Sequence, residues 1–323
     1  MMRRGFTIVE LLIVIVVIAI LAAITIVAYN GIQNQAKVAA LTSELSQAAK
    51  AVETYKAKNT AAMYPTALSQ VEGLNTSGYD YFYNQRQNTY CIERANGALR
   101  YSMNAGSSPR EGRCMLNGLV AWLPLNGSLE EAVAGVGVSP SGAVSVTQGA
   151  NGKQDGAYQI GASGMLTLAT ANLPSSLSSF SISVWARGVS GTSGDYSYVV
   201  YRGAGSSIGS SIYWLGILPN GNYSLAVNGQ YNAGNTNVAG SSTTWRPLVL
   251  TYDGSRQYMY VDGTLRGEVA IGSISNATTS NSLTVGAGPG NYRSFSGTVD
   301  DVRVYSRALS ATEVTNTYTE GAF

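Results

Sequence analysis

The first thirty residues contain a long apolar run. Residues 11–27 read LLIVIVVIAILAAITIV, in which Thr25 is the one polar member. Together with Phe6, Ile8 and Val9 they reach about the 20 residues that an α-helix needs to cross a bilayer. The pattern therefore predicts a membrane-spanning helix near the N-terminus.

The next thirty residues change to an amphipathic period. Apolar residues recur in steps of three and four from Val38 to Tyr55, with Lys and Glu between them. Proline is absent from Phe6 to Lys58, so we expect one continuous helix of roughly 80 Å at 1.5 Å per residue, ended by Met63-Tyr64-Pro65. The apolar stripe is short and rich in Ala, which favours packing against the chain's own sheet over a coiled-coil oligomer.

Three aromatic-rich strands are predicted after this helix. They are YDYFYN at 79–84, TYCIERA at 89–95 and ALRYSMN at 98–104. Asn96-Gly97 lies between the last two and is a strong hairpin signal. The pattern indicates a long helix packed on a small antiparallel sheet.

From about residue 116 the helical period disappears. Short alternating segments are separated by Gly, Asn, Asp and Ser over some two hundred residues. In FSISVW at 180–185 apolar residues alternate with Ser, and Asp262-Gly263 predicts a tight turn after the strand that contains Tyr258 and Tyr260. Regular turns of this kind are typical of a β-sandwich or jelly roll.

Composition narrows the classes of function. A chain of 323 residues is longer than one hydrophobic core usually organises, so at least two domains are expected. Only 12% of the residues are charged. Histidine is absent, which removes the commonest general base and zinc ligand. The net charge is +2, and without Arg3 and Arg4 it is 2 − 2 = 0, so nucleic-acid binding is not predicted.

Cys91 and Cys114 are the two cysteines. In an exported protein they would form a disulfide, whose loop closure contributes about 3 kcal/mol in the chain-entropy model. In a cytosolic protein they would be two unreactive thiols. Composition leaves both alternatives open.

The charges around the apolar run raise a further question. Arg3 and Arg4 precede it, which by the positive-inside rule keeps the N-terminus cytoplasmic. A signal anchor would explain that much, and a cleaved signal peptide fits less well because the run is long. Neither explains Glu10, because an unpaired carboxylate within an apolar span costs about 3 kcal/mol. Such a residue indicates a function.

The string RRGFTIVE at residues 3–10 strongly resembles the type IV prepilin signature. The resemblance implies cleavage by a prepilin peptidase between Gly5 and Phe6, N-methylation of Phe6, and pairing of Glu10 with a neighbouring subunit's N-terminus during assembly. It also implies an α+β pilin fold in which Cys91 and Cys114 close a C-terminal disulfide loop. The expected segments are a leader at 1–5, a transmembrane and filament-core helix at 6–30, and a pilin globular domain at 31–115.

The remainder resembles the LamG-like/concanavalin A-like jelly-roll family, which implies an all-β jelly-roll sandwich over 116–323. The resemblance rests on GLVAWLPLNGSLEEAVAG at 118–135, FSISVWARG at 180–188, WRPLVLTYDGSRQYMYVDGTLRG at 245–267 and FSGTVDDVRVYSRALSATEV at 295–314. Many members of that family bind carbohydrate, and others are structural spacers.

Many relatives also hold a structural calcium ion near the two ends of the domain, and calcium requires oxygen ligands. Asp300 and Asp301 match the family's acidic pair, and Asn126 stands where relatives often have Asp, with Glu131 following. The resemblance therefore implies a calcium site, whereas the alternative is that the two aspartates cap a turn. No other cofactor is expected.

Aromatic residues concentrate between residues 195 and 232, among several asparagines, which is the chemistry of a carbohydrate site. The candidate ligand-binding residues are Tyr198, Tyr213, Trp214, Tyr223 and Tyr231. Strand alternation predicts that about half of such residues pack into the core instead. Catalysis is not expected, because acidic residues are sparse and histidine is absent.

The sequence thus predicts a type IV pilus subunit that polymerises through its N-terminal helix and displays a lectin-like jelly roll for adhesion to glycans or surfaces. Its partners would be other pilin subunits, the prepilin peptidase and the inner-membrane assembly machinery. It would be a single-pass membrane prepilin before it reaches the cell surface in a pilus. The alternatives are a pseudopilin of a type II secretion or DNA-uptake system and a membrane-tethered carbohydrate-active enzyme. Major and minor pilin roles remain equally open.

Overall fold

The computed structural model describes residues 8–169, 173, 178–189, 195–203, 205, 210–229, 234–274 and 282–322. The first element is a single helix, α1, over Ile8–Lys58. It ends before Met63-Tyr64-Pro65, and a short 3-10 turn follows at Leu68–Gln70. The predicted continuous helix is therefore confirmed.

A four-stranded antiparallel sheet follows α1, in the order β1-β2-β3-β4. Its strands are β1 (Tyr79–Asn84), β2 (Thr89–Asn96), β3 (Leu99–Asn104) and β4 (Arg110–Glu111). The loop between β2 and β3 is Gly97-Ala98, and Gly97 has φ 63°, a conformation open to glycine at no steric cost. The predicted hairpin lies one residue further along than Asn96-Gly97. We call this sheet and the C-terminal half of α1 the helix–sheet module.

The two halves of α1 differ in exposure. From Leu41 to Val52 its buried residues lie on one face, against β2 and β3. From Ile8 to Ile32 the large apolar side chains that the structure describes are exposed; Ile32, for example, is 65% exposed. On the docked half Glu53 accepts hydrogen bonds from the hydroxyls of Tyr64 (3.0 Å) and Tyr90 (3.2 Å). One half of the helix is thus a core element, and the other half has no packing partner in the described chain.

The rest of the chain forms two antiparallel sheets packed face to face and one short helix. The strands are β5 (Leu119–Leu123), β6 (Val138–Ser141), β7 (Val144–Thr147), β8 (Ala157–Ile160), β9 (Met165–Leu168), β10 (Phe180–Val189), β11 (Ser197–Gly203), β12 (Ser211–Ile217), β13 (Asn222–Val227), β14 (Asn235–Ala239), β15 (Ser241–Tyr252), β16 (Arg256–Val261), β17 (Thr264–Ala270), β18 (Leu283–Val285) and β19 (Ser296–Tyr305), and the helix is α2 (Ala311–Glu320). Sheet I has the order β17-β16-β15-β10-β19-β8-β7, with β5 also paired to β19, and sheet II has the order β14-β13-β12-β11-β18-β9-β6. This is the predicted jelly-roll sandwich.

Inward-facing residues of both sheets form one large apolar core. The turn between β16 and β17 is Asp262-Gly263, with φ 54° and 69°, as a two-residue type I′ turn requires. Part of the outer face of sheet I is covered by α2, whose Tyr318 ring stacks on Trp185 with centroids 6.5 Å apart. The alternating Ser181 is buried and hydrogen-bonded to Leu309 N at 2.8 Å.

A buried carboxylate links the helix–sheet module to the sandwich. Glu93 on β2 is fully buried and forms ion pairs with Arg100 and Arg113. Its second oxygen accepts from Cys114 N at 3.0 Å and from Asn117 Nδ2 at 3.3 Å. The linker between the four-stranded sheet and β5, the first strand of the sandwich, is therefore held at Cys114 and Asn117.

The sandwich holds the same linker from the other side. Arg307 Nε donates to Asn117 O at 2.9 Å, and the Arg307 guanidinium pairs with Glu313 on α2 at 2.8 Å. Asn316 Nδ2 also donates to Glu111 O on β4 at 2.6 Å. The segment 114–118 is therefore clamped between both parts of the chain.

We predict that Leu45→Ala lowers the free energy of unfolding by about 2–5 kcal/mol, because it leaves a cavity between α1 and the sheet. Ile32→Ala on the exposed half of the same helix should change it by less than about 0.5 kcal/mol. Urea unfolding of the detergent-solubilised chain measures both. Equal effects would show that the two halves are not packed differently.

We also predict that Glu93→Ala destabilises the chain by about 3 kcal/mol, since it removes the common ion-pair partner of two arginines and the acceptor of two further N–H donors. Glu111→Ala, an exposed carboxylate on β4, is the matched control. Thermal unfolding gives the stability, and limited proteolysis within residues 114–118 reports loosening of the linker. Unchanged cleavage in Glu93→Ala would contradict the clamp.

Candidate functional site

The predicted processing site, Gly5 and Phe6, lies outside the described residues. The backbone of Glu10 is in the first turns of α1, and its side chain is also outside the described part. The helix that follows has a mean hydropathy of 3.4 in its most apolar window, none of which is buried. By length and composition it could cross a membrane.

Cys91 and Cys114 are joined in a disulfide, with their Cα atoms 5.7 Å apart. Cys91 lies on β2, two residues before Glu93, and both cysteines are fully buried. The bridge therefore fixes the same end of the linker that Glu93 holds. The predicted disulfide is confirmed.

The four calcium candidates have different surroundings. Glu131 accepts three backbone N–H groups, from Trp122, Val133 and Ala134, at 2.6–2.8 Å. Asp301 accepts from Trp122 Nε1 at 2.7 Å and pairs with buried Arg303, whose Nε lies 2.9 Å away. The oxygens of both carboxylates already have donors, so neither residue has the surroundings of a free ligand.

Asp300 and Asn126 fit a cation better. One oxygen of Asp300 accepts from Ala150 N at 2.9 Å, whereas its Oδ1 and the Oδ1 of Asn126 are buried without a hydrogen-bond partner among the described residues. Burial raises the pKa of Asp300 to about 7. No group of three Asp, Glu or Cys side chains within the described ranges forms an arrangement that could hold a metal ion.

A single loop connects these two residues. Gly149 packs on Asp300, where a Cβ would lie 3.0 Å from Oδ2, and it also packs on Gly156. At the end of the same loop, Asp155 O would lie 3.4 Å from a Cβ on Gly127, the neighbour of Asn126. The close approaches at Gly149 explain why glycine is needed there.

The aromatic candidates divide between the two faces of sheet II. Tyr213 and Tyr223 point inward and are fully buried in the sandwich core. The prediction that these two residues bind a ligand is therefore wrong: strand alternation places them in the core between the sheets. Tyr231 lies outside the described residues.

Tyr198 and Trp214 lie on the outer face of sheet II. They are fully buried in a separate cluster with Tyr201 and Ala226, against which Tyr196 packs. The ring centroids of Tyr198 and Trp214 are 5.6 Å apart in an edge-to-face contact. We call Tyr196, Tyr198, Tyr201, Trp214 and Ala226 the outer aromatic cluster.

Arg293 joins this cluster from the loop before β19. Its guanidinium lies 3.8 Å from the ring centroid of Tyr196 and 4.8 Å from that of Tyr292, and it donates to the Tyr198 hydroxyl at 3.0 Å. Burial raises the pKa of Tyr198 to about 12 although Arg293 acts to lower it, so the phenol keeps its proton at neutral pH. Arg293 and Tyr292 were not among the sequence candidates, since nothing local in GPGNYR marks where that loop folds.

Two family models match the chain. Residues 1–26 match the prokaryotic N-terminal methylation motif, and residues 160–315 match the concanavalin A-like lectin/glucanases superfamily. No curated protein matches the chain.

Solved structures resemble the sandwich in fold. Domain 4 of AbnA, an extracellular arabinanase from Geobacillus stearothermophilus solved with arabinotriose, aligns with a TM-score of 0.50 and 20% identity, covering 61% of this chain and 97% of that one. The binding domain of Paraclostridial Mosquitocidal Protein 1 gives 0.49 and 16%, covering 63% and 52%, and that of botulinum neurotoxin serotype D/C gives 0.48 and 14%, with the same coverages. The chain spans about half the length of the two toxin structures. It thus combines a prokaryotic N-terminal methylation motif with a concanavalin A-like lectin/glucanase domain behind a long, half-exposed helix.

Proposed function

We propose that the protein is a type IV pilus subunit that polymerises through α1 and displays its jelly roll for adhesion to glycans. The observation that carries the proposal is the exposed apolar half of α1, Ile8–Ile32, most of which lies within the matched methylation motif at residues 1–26. A contiguous apolar surface of that size requires a membrane or other subunits to cover it. In a pilin, this surface is covered first by the lipid bilayer and then by neighbouring subunits of the filament.

Processing and assembly follow from the N-terminal residues. Arg3 and Arg4 orient the prepilin, the peptidase cuts between Gly5 and Phe6, and Phe6 is methylated. Glu10 then lies one helical turn below the new amine. A carboxylate and an amine from two subunits, buried together in an apolar core, fix register more than they add stability.

The adhesive role belongs to the sandwich. Its fold is one that lectins use, and an aromatic cluster with an arginine occupies the outer face of sheet II. We propose a binding module and not an enzyme, since the chain has no histidine and the carboxylates Glu131 and Asp301 are held by structural donors.

The test of the proposal is the Glu10→Ala variant, examined in cells that lack the native copy. We expect unchanged cleavage and membrane insertion but a loss of about tenfold or more in the amount recovered with sheared filaments, because the neighbour's amine would lose its buried partner. Thr25→Val, within the same apolar helix, should assemble normally, since the Thr25 hydroxyl bonds only to Leu21 O and Ala22 O of its own helix.

Immunoblots of the sheared fraction and cryo-EM of the filaments measure the outcome. Subunits spaced along the whole filament would indicate a major pilin, and labelling at the tip a minor one. Normal incorporation of Glu10→Ala, or absence of the wild-type protein from every filament, would contradict the proposal.

We further propose that Asp300 and Asn126 hold a structural calcium ion, because their buried Oδ1 atoms lack donors among the described residues. The ion would neutralise Asp300 and hold the 149–156 loop on the sandwich.

The expected pH dependence has a definite sign. Because the pKa of Asp300 is raised from 3.8 to about 7, the calcium-free fold loses stability as pH rises through that range. At pH 8 without calcium, Asp300→Asn should therefore be more stable than the wild type, by on the order of 4 kcal/mol. Millimolar calcium should raise the thermal midpoint of the wild type but not that of Asp300→Asn. Asp80→Asn, an exposed aspartate on β1, should behave as wild type, and a calcium response that survives in Asp300→Asn would contradict the site.

A further inference from the structure

The outer aromatic cluster has a polar edge that is open to solvent. Asp195, Tyr196, Tyr292 and Arg293 form this edge, which we call the rim. The side chain of Asp195 is 38% exposed and that of Arg293 is 12% exposed, and Tyr292 is 42% exposed. Tyr198, beneath them, is fully buried. The rim is thus a surface with a rigid aromatic base.

The backbone holds Arg293 in an unfavourable conformation. Its φ is 54°, and those of Gly290 and Asn291 are 73° and 65°; a non-glycine residue in this region carries a steric cost. The loop is kept in place by Tyr198 N, which donates to Arg293 O at 2.8 Å, and by Asn291 Nδ2, which donates to Ser163 O at 2.6 Å. Strain that the surroundings maintain in this way is typical of binding sites.

The rim retains hydrogen-bonding capacity. Arg293 donates through Nε to Asp195 Oδ2 at 3.1 Å and through Nη1 to Tyr198 Oη at 3.0 Å. These use two of its five N–H groups, and the other three have no acceptor among the described residues. Asp195 Oδ1 accepts from Tyr196 N at 2.8 Å, and each carboxylate oxygen has a further lone pair. The guanidinium of Arg293 and the carboxylate of Asp195 therefore offer hydrogen-bond donors and acceptors next to each other.

This arrangement suits a hydroxylated ligand. A hydroxyl group is both donor and acceptor, so two adjacent hydroxyls can bond to Arg293 and Asp195 together. The apolar face of a pyranose or furanose ring can then pack on the exposed part of Tyr292. A few fixed polar groups beside aromatic rings are the common composition of small-ligand sites.

The charges of the rim decide which class of sugar fits. Arg293 and Asp195 cancel each other, and a carboxylated or sulfated sugar would have to face the Asp195 carboxylate. Like charges in contact disfavour the wrong partner. We propose that the rim is the recognition subsite of the jelly roll and that it binds a neutral sugar residue; this inference rests on the proposed lectin role.

The test uses the full detergent-solubilised chain on an array of neutral hexose and pentose oligosaccharides and their sialylated or uronate-containing counterparts. The strongest neutral hit is then titrated against three variants. Tyr292→Ala and Arg293→Lys should each weaken it at least tenfold, and Asp195→Asn should weaken it less while raising the signal of the acidic glycans. Tyr318→Ala is the matched control, a 43% exposed tyrosine on α2, and should bind as wild type.

The outcomes separate the subsite from the lectin role. Loss in Tyr292→Ala and Arg293→Lys, with unchanged thermal midpoints, supports the rim. Full neutral-sugar binding by both variants overturns the rim but leaves the lectin role intact. Wild-type binding confined to acidic glycans overturns the neutral class. Binding of no glycan at all overturns the adhesion part of the proposed function together with the rim. The gain of acidic-glycan signal in Asp195→Asn is a readout that a merely structural Arg293–Asp195 pair would not produce.

Discussion

The structure depends on one buried carboxylate, that of Glu93. Three donors converge on it, from Arg100, the backbone of Cys114 and the amide of Asn117, and Arg113 adds an ion pair at 3.6 Å. A buried charge with fewer partners would cost more than its interactions return, so the site is stable only when the sheet, the disulfide end and the linker are all in place. Through Asn117 the same network reaches Arg307 and α2. The two folded parts of the chain are thus joined by polar contacts: the Glu93 network, the Asn316–Glu111 hydrogen bond and an ion pair between Arg86 and Glu130.

This rigidity contrasts with the exposed half of α1. In the sandwich, apolar side chains pack on one another, and even Ser181 has hydrogen-bond partners. From Ile8 to Ile32, by contrast, the described large apolar side chains of the helix are exposed. A helix that is apolar all round is stable in a bilayer or a protein core, not in water. The chain therefore has one end built for burial among other molecules and another built as a self-contained fold. The contacts of Glu93 hold the sandwich in a fixed position relative to the helix–sheet module.

The sequence predicted the elements that depend on local periodicity. The apolar run, the amphipathic half of α1, the strands at 79–104 and the Asp262-Gly263 turn all follow from spacing alone. Spacing did not predict which face of a sheet each aromatic side chain occupies. Tyr213 and Trp214 are adjacent in sequence, yet they point to opposite sides of sheet II. Burial of Ser181 was also unexpected, because its partners, Arg307 O and Leu309 N, lie in the segment before α2, more than a hundred residues away. Arg293 reaches Asp195 across a similar separation, and such contacts leave no local signal.

The two faces of the sandwich have different roles for a physical reason. Part of the outer face of sheet I is covered by α2, whose Asn316 bonds to β4 of the helix–sheet module. Val249 and Tyr260 of the sheet are buried there in one cluster with Val314 of α2. That face is committed to holding the jelly roll on the pilin part. The outer face of sheet II is on the opposite side of the core, so its aromatic cluster and rim are turned away from the joint. In the filament that we propose, the face left free for the proposed ligand is therefore the one with the strained loop and the exposed Tyr292.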